Sequence, residues 1–203
     1  MNDYSQNGEG KIINSYFTKP GTLISIGEND GKTLSNVLGL IEAGWKAYLI
    51  EPCEEPYSKM VALHKENKKV KCYNYAIGNH NGESFIYDSN EHLGSGDTSL
   101  LSTLKIEETK RWGNTQTFTE KKVIVKTFLS FLKESRIRKA DFISIDCEGL
   151  DLDIFKQINL NALKVKLVCI ESNNVDNEKY IQYAESFGFK LIFNNQCNLI
   201  FAK

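Results

Sequence analysis

Leu23-Ile24-Ser25-Ile26-Gly27-Glu28-Asn29-Asp30-Gly31-Lys32-Thr33 joins a short apolar run to a turn that carries two glycines. A run that is apolar at nearly every position reads as a strand buried on both faces, as strands of parallel sheets are. Gly27 and Gly31 let the backbone turn tightly and let a ligand approach it closely. The pattern over 33–43 then places Leu34, Val37, Leu38 and Ile41 on one helical stripe, so a helix is expected to open right after the turn. The turn is not the G-x-G-x-x-G of dinucleotide binders, because Asn29 fills the middle glycine position.

The same alternation recurs outward from this unit. Strands are expected at 47–50, 70–76, 142–145, 166–170, 190–193 and 198–202. Helices are expected at 55–65 (stripe Tyr57, Met60, Val61, Leu63), 150–158 and 178–187. Such alternation predicts βαβ units and an α/β, doubly wound, Rossmann-like sheet of about seven strands. Phe193 and Asn198 are separated by hairpin spacing, so a mostly parallel sheet should end in a C-terminal antiparallel hairpin strand. Strands at 82–87 and 122–126, a polar stretch at 89–99 and a helix at 128–136 break the regular order. The chain therefore reads as a single domain, 1–203, with an N-terminal extension at 1–20 and an insertion at 79–126 that would shape an acceptor site.

The composition is globular: 41% hydrophobic and 25% charged. Lys plus Arg number 25 and Asp plus Glu 26, a net charge of -1 that argues against binding nucleic acid through phosphate neutralisation. Cys53, Cys72, Cys147, Cys169 and Cys197 are odd in number and show no C-x-x-C spacing, so they read as small hydrophobes in a reducing compartment. Neither a signal-peptide core nor an apolar run of ~20 residues is present. No membrane span is expected, and the expected location is cytoplasmic.

Three strand ends carry carboxylates. Ile50-Glu51-Pro52 ends the second strand, and an acidic residue at that point after a glycine turn is the usual grip on ribose hydroxyls. Phe142-Ile143-Ser144-Ile145-Asp146-Cys147-Glu148-Gly149 ends the fourth core strand, and Val168-Cys169-Ile170-Glu171 ends the fifth. Ligands of open α/β sheets bind at this carboxyl edge. Asp146 and Glu171 are hard oxygen ligands on neighbouring strands, so they are candidates to hold Mg²⁺. Hydrogen bonding to a cofactor, or capping of the next helix, is the alternative role and stays open.

Several segments, in order along nearly the whole chain, resemble the FkbM-type S-adenosylmethionine-dependent methyltransferases. Ser5-Gln6-Asn7-Gly8-Glu9 resembles the SQxGED opening of one subgroup, and Gly27–Lys32 its GANDGK turn. Ser35-Asn36, Gly44-Trp45-Lys46 and Ile50-Glu51-Pro52 continue the likeness. Asn74–Gly78 with Gly82 resembles its AIG…G segment, and Thr98-Ser99-Leu100 its serine-rich loop. Ile145-Asp146-Cys147-Glu148-Gly149, followed by Asp151 and Ile154, resembles IDxEGxxxxIL, the most specific motif. Ser25 stands where the family usually has Asp or Glu, and Glu28 where it has a small Ala; Glu9, Glu28 and Asp30 are candidates to supply the missing carboxylate.

The resemblance implies a class I methyltransferase fold and methyl transfer from S-adenosylmethionine, mostly to oxygen, on sugars in glycans, glycolipids or natural products. It implies that Gly27, Asn29, Gly31 and Thr33 line the methionine part, that Glu51 binds the ribose, and that Ala76 and Ile77 flank the adenine. Gln6, Asp30, Pro52 and Ser99 belong to the same cofactor-binding motifs. Asp146 would lie nearest the reacting methyl. Asp146, Glu148 and His92 are the candidates to take the acceptor's proton. The partner would be a small-molecule or glycan acceptor; the oligomeric state stays open. Two other readings remain at this stage. One is an NAD-dependent or nucleotide-sugar oxidoreductase. The other is a non-catalytic scaffold domain of the same fold.

Overall fold

The structure is a computed structural model that describes residues 1–91 and 98–203. In chain order the elements are α1 (Glu9–Tyr16), β1 (Thr22–Ile26), α2 (Leu38–Glu42), β2 (Lys46–Ile50), α3 (Glu54–His64), β3 (Val70–Tyr73), β4 (Ala76–Ile77) and β5 (Gly82–Asp88). There follow α4 (Ile106–Arg111), β6 (Thr119–Lys126), α5 (Phe128–Ser135), β7 (Phe142–Ile145), α6 (Asp151–Phe155), β8 (Leu167–Glu171), α7 (Asn177–Glu185), β9 (Lys190–Asn194) and β10 (Asn198–Ala202).

Seven strands form one sheet in the order β3-β2-β1-β7-β8-β10-β9. β3, β2, β1, β7 and β8 pair in parallel, and β10 runs antiparallel between β8 and β9. The strand order reverses at β1, between β2 and β7, and such a switch point opens a crevice at the carboxyl edge.

Both faces of the sheet's inner strands are buried, which is why those strands are mostly apolar at consecutive positions, while the edge strands β3 and β9 are partly or largely exposed. One face presents Ile24, Ile26, Ile143, Ile145, Val168 and Ile170 to Phe128 and Phe131 of α5, Ile154 and Phe155 of α6 and Tyr180 and Ala184 of α7. The other presents Leu23, Ala47, Leu49, Phe142, Leu167, Cys169 and Ile200 to Ile13 of α1, Leu40 and Ile41 of α2 and Met60 of α3. On this second face the alternation turns polar toward the carboxyl edge, at Ser25, Ser144, Glu171 and Asn198. β5 and β6 of the insertion join β4, which precedes it, in a small second sheet in the order β4-β6-β5.

The structure corrects the sequence expectations in several places. No helix opens at residue 33. Asp30 Oδ1 accepts from the backbone N–H groups of Lys32 (2.8 Å) and Thr33 (2.7 Å), and Ser35 Oγ accepts from those of Val37 (3.2 Å) and Leu38 (3.0 Å). Short polar side chains that capture backbone donors in this way compete with the helix, so α2 begins only at Leu38. The run at 70–76 is not one strand: the Asn74 side chain donates to the carbonyls of Glu51 and Pro52, both at 3.1 Å, and the chain crosses to the second sheet at Ala76. In α3 the buried residues are Pro56, Met60 and His64, while Val61 and Leu63 face outward. The helix α1 had no counterpart in the sequence expectations.

All five cysteines are free; Cys53 and Cys169 are buried and the other three half-buried. Among the described residues no helix is long and apolar enough to cross a membrane.

Candidate active site

The carboxyl ends of β1, β2, β7 and β8 and the start of β10 open on a cavity of about 550 Å³. Three of these ends are stitched together. The Gly27 and Glu28 N–H groups both donate to the Ile50 carbonyl, at 3.0 and 3.1 Å, and Asp146 N–H donates to the Ile26 carbonyl at 2.9 Å. Gly27 has φ +79°, and a Cβ there would overlap the Asp146 carbonyl oxygen, so only glycine fits.

On the β1–β2 side Glu51 is buried and lines the cavity. Its two carboxylate oxygens accept from the backbone N–H groups of Asn29 (2.9 Å) and Cys53 (2.8 Å). Burial pushes its pKa up to about 7 against those two bonds. Glu28 is likewise buried and raised to about 7 by burial; it receives the hydroxyls of Ser25 and Ser35. Asn29 donates its side-chain N–H to the Thr98 carbonyl at 2.8 Å, which leaves Asn29 Oδ1 buried and unpaired on the cavity wall; Asn36 Oδ1 is in the same state.

On the β7–β8 side the chain turns sharply after Ile145. Glu148 takes a left-handed conformation, φ +44°, that a non-glycine residue holds only when its surroundings fix it. The insertion supplies the fixing: the Thr103 hydroxyl donates to the Glu148 carbonyl (2.7 Å), and Arg111 Nη2 bonds Glu148 Oε2 (3.0 Å). Asp151 closes the turn by accepting from the N–H groups of Cys147 (2.7 Å) and Gly149 (2.9 Å). Asp146, Glu148 and Glu171 each offer an oxygen within 4.8 Å of the others. Burial and then the neighbouring carboxylates push Asp146 and Glu171 well above the usual carboxylate range. Burial raises Glu148 to about 7, with Arg111 opposing the rise.

Most residues singled out from sequence meet at this cavity. Gly27, Asn29, Thr33, Glu51 and Pro52 line it from the strand turns, Ala76 and Ile77 from β4, and Gln6 and Ser99 from the extension and the insertion. Asp146, Glu148 and Glu171 line it as well. Asp30 and Gly31 do not: Asp30 bonds the Lys32–Thr33 turn, and Gly31 packs under Met60 and His64 of α3. Of the candidates to replace the carboxylate absent at Ser25, Glu28 contacts Ser25, while Glu9 bonds Asn195 and Asn198. His92 lies outside the described residues.

Arg111 and Asn198 line the cavity too, and sequence reasoning missed both as site residues. Asn198 had a signal, a polar residue opening an apolar strand; Arg111 had none, because only the fold of the insertion brings it to Glu148.

A family model for the methyltransferase FkbM domain matches residues 25–191. The chain belongs to the FkbM methyltransferase family. No curated protein matches the sequence. Among solved structures, methyltransferase FkbM from Methylobacillus flagellatus KT superposes with a TM-score of 0.62 at 10% identity, covering 98% of this chain and 48% of that one. This FkbM domain thus spans about half the length of that relative. A protein of the NADB-Rossmann superfamily from Streptococcus agalactiae gives 0.52 at 14% identity, over 98% of this chain and 69% of the other. M. capricolum TrmK, solved with S-adenosyl-homocysteine, gives 0.50 at 11% identity, over 95% and 65%. At these identities the likenesses establish the fold, that of class I methyltransferases.

Proposed function

We propose that this FkbM domain transfers a methyl group from S-adenosylmethionine to a hydroxyl oxygen of a sugar, a glycan or a natural product. One observation carries the reading: a carboxylate cluster faces the same cavity as the glycine turn and Glu51, so proton acceptors stand beside a nucleoside-sized slot.

S-adenosylmethionine would supply an activated methyl group. Glu51 would accept from the ribose hydroxyls through lone pairs that its two backbone bonds leave free. Ala76 and Ile77 would flank the adenine, and Pro52 and Ser99 would border it. Gly27, Asn29 and Thr33 would hold the methionine part, with Asn29 Oδ1 and Asn36 Oδ1 as acceptors for its ammonium. Asp30 and Gly31 would act one step back, by shaping the turn. Gln6 would border the cofactor, and the insertion's Trp112, which also lines the cavity, would form the acceptor side. The acceptor hydroxyl must be held in line with the sulfonium methyl and must lose a proton. Asp146 or Glu148 would take it; burial raises both above the usual carboxylate range, which makes either a stronger base.

The cluster also fits Mg²⁺. Asp146, Glu171 and Glu148 form a hard oxygen set within 4.8 Å, and Glu171 Oε2 is buried with no hydrogen-bond partner. An ion held there would make the acceptor hydroxyl more acidic. The first test is calorimetry with S-adenosylhomocysteine and with NAD. Binding of the former alone supports the reading; binding of NAD alone overturns it, and binding of neither leaves a scaffold domain.

A further inference from the structure

We propose that Asn198 Oδ1 is a further oxygen ligand for a divalent cation held by Asp146 and Glu171, and that Glu9 is the positioning residue that turns it toward the ion. The proposal rests on the methyl-transfer reading of the site and extends it to α1 and β10.

Asn198 and Glu171 lie directly opposite each other in the β8–β10 ladder. The next pair, Ser172 and Cys197, carries a ladder bond, Ser172 N–H to the Cys197 carbonyl at 2.8 Å. Glu171 and Asn198 therefore form the non-hydrogen-bonded kind of pair, in which side chains stand closest, with Cβ atoms roughly 4.5–5.5 Å apart. Both side chains line the cavity.

Asn198 is 6% exposed, and its amide orientation is fixed by one partner. Its Nδ2 donates to Glu9 Oε1 at 2.7 Å, and Asn195 Nδ2 donates to the same oxygen at 2.6 Å. Glu9 Oε2 accepts from Asn7 N–H at 2.9 Å. An ionised carboxylate only accepts, so it holds the amide nitrogen of Asn198 on its own side and leaves the carbonyl oxygen to the other. That oxygen is buried and has no partner, and neither has Glu171 Oε2 beside it. Two buried oxygens on directly opposed residues, neither with a hydrogen-bond partner, demand an explanation. A cation satisfies both at once, and a carboxamide oxygen adds a ligand without adding another negative charge to a site that already holds three carboxylates.

Mn²⁺ titrated into the full chain, followed by electron paramagnetic resonance and calorimetry, tests this without an acceptor. The wild type should bind one equivalent. N198A should weaken Mn²⁺ binding by about 10-fold or more and N198D should keep it. E9Q should weaken it by about 10-fold, as loss of a group that orients a ligand does. S-adenosylhomocysteine affinity should stay unchanged in E9Q, whose side chain lies outside the cavity lining. Melting curves identify any variant that fails to fold, and N198D and E9Q still decide the matter if N198A does. Unchanged Mn²⁺ affinity in N198A or E9Q overturns the role given to that residue. A wild type that binds S-adenosylhomocysteine but not Mn²⁺ overturns the cation site and leaves methyl transfer standing. A wild type that binds Mn²⁺ but not S-adenosylhomocysteine overturns methyl transfer.

Discussion

The Ser25 hydroxyl donates to Glu28 Oε2 at 2.5 Å, so a carboxylate reaches the end of β1 from three residues further along the chain. The Ser35 hydroxyl holds its other oxygen at 2.6 Å. Glu28→Ala would strand two buried hydroxyls, at a cost of about 1–3 kcal/mol each. The melting temperature should fall by several degrees, and S-adenosylhomocysteine affinity should fall with it. A double variant, S25D with E28A, should restore affinity by moving the carboxylate back onto the strand. Calorimetry and thermal melts on the three proteins check this.

Glu51→Ala should weaken S-adenosylhomocysteine binding by about 1.5–3 kcal/mol, the range for hydrogen bonds to a charged group. It should also lower stability, because the N–H groups of Asn29 and Cys53 lose their acceptor. An unchanged dissociation constant in a folded variant would remove Glu51 from the ribose.

Glu28 and Glu51 are raised by burial from 4.5 to about 7 in the fold. A carboxyl whose folded pKa lies above its unfolded one contributes stability that is complete below the unfolded value and lost as pH rises through the folded value. The ligand-free protein should therefore melt at a lower temperature at about pH 8 than at about pH 5, by an amount reflecting up to about 3 kcal/mol per carboxyl. E28Q and E51Q should each flatten the slope. Scanning calorimetry across that range decides it.

Asp146→Asn should leave the fold intact and cost at least ~100-fold in turnover, the low end for loss of a general base. Glu148→Gln should cost a similar factor if Glu148 takes the proton. If it serves only to anchor the turn with Thr103 and Arg111, the loss should appear in melting temperature instead. Single-turnover rates and melts on both variants separate these cases.

The parallel core was legible because burial on both faces forces consecutive apolar residues, as in Leu167–Ile170, and the carboxylates that end such runs mark the ligand edge. The start of α2 was not legible, because the apolar stripe of Leu34 and Val37 says nothing of the Asp30 and Ser35 side chains that capture the backbone first. Nor were the links of Arg111 to Glu148 and of Glu9 to Asn198. Each joins residues far apart in sequence, and neither leaves a periodic trace.

The Gly78 N–H donates to the Lys126 carbonyl at 2.9 Å, so the segment between them leaves the core and returns to it at one point. A segment whose ends already touch can be exchanged for another of different length without rerouting the chain, and added length costs little in closure entropy. The strand-end contacts of Gly27 and Glu28 with the Ile50 carbonyl and of Asn29 N–H with Glu51 lie outside the exchanged segment; the Thr98 carbonyl that Asn29 bonds lies within it. If the segment shapes the acceptor side, as proposed, the acceptor can diversify by cassette while the glycine turn and Glu51 stay in place.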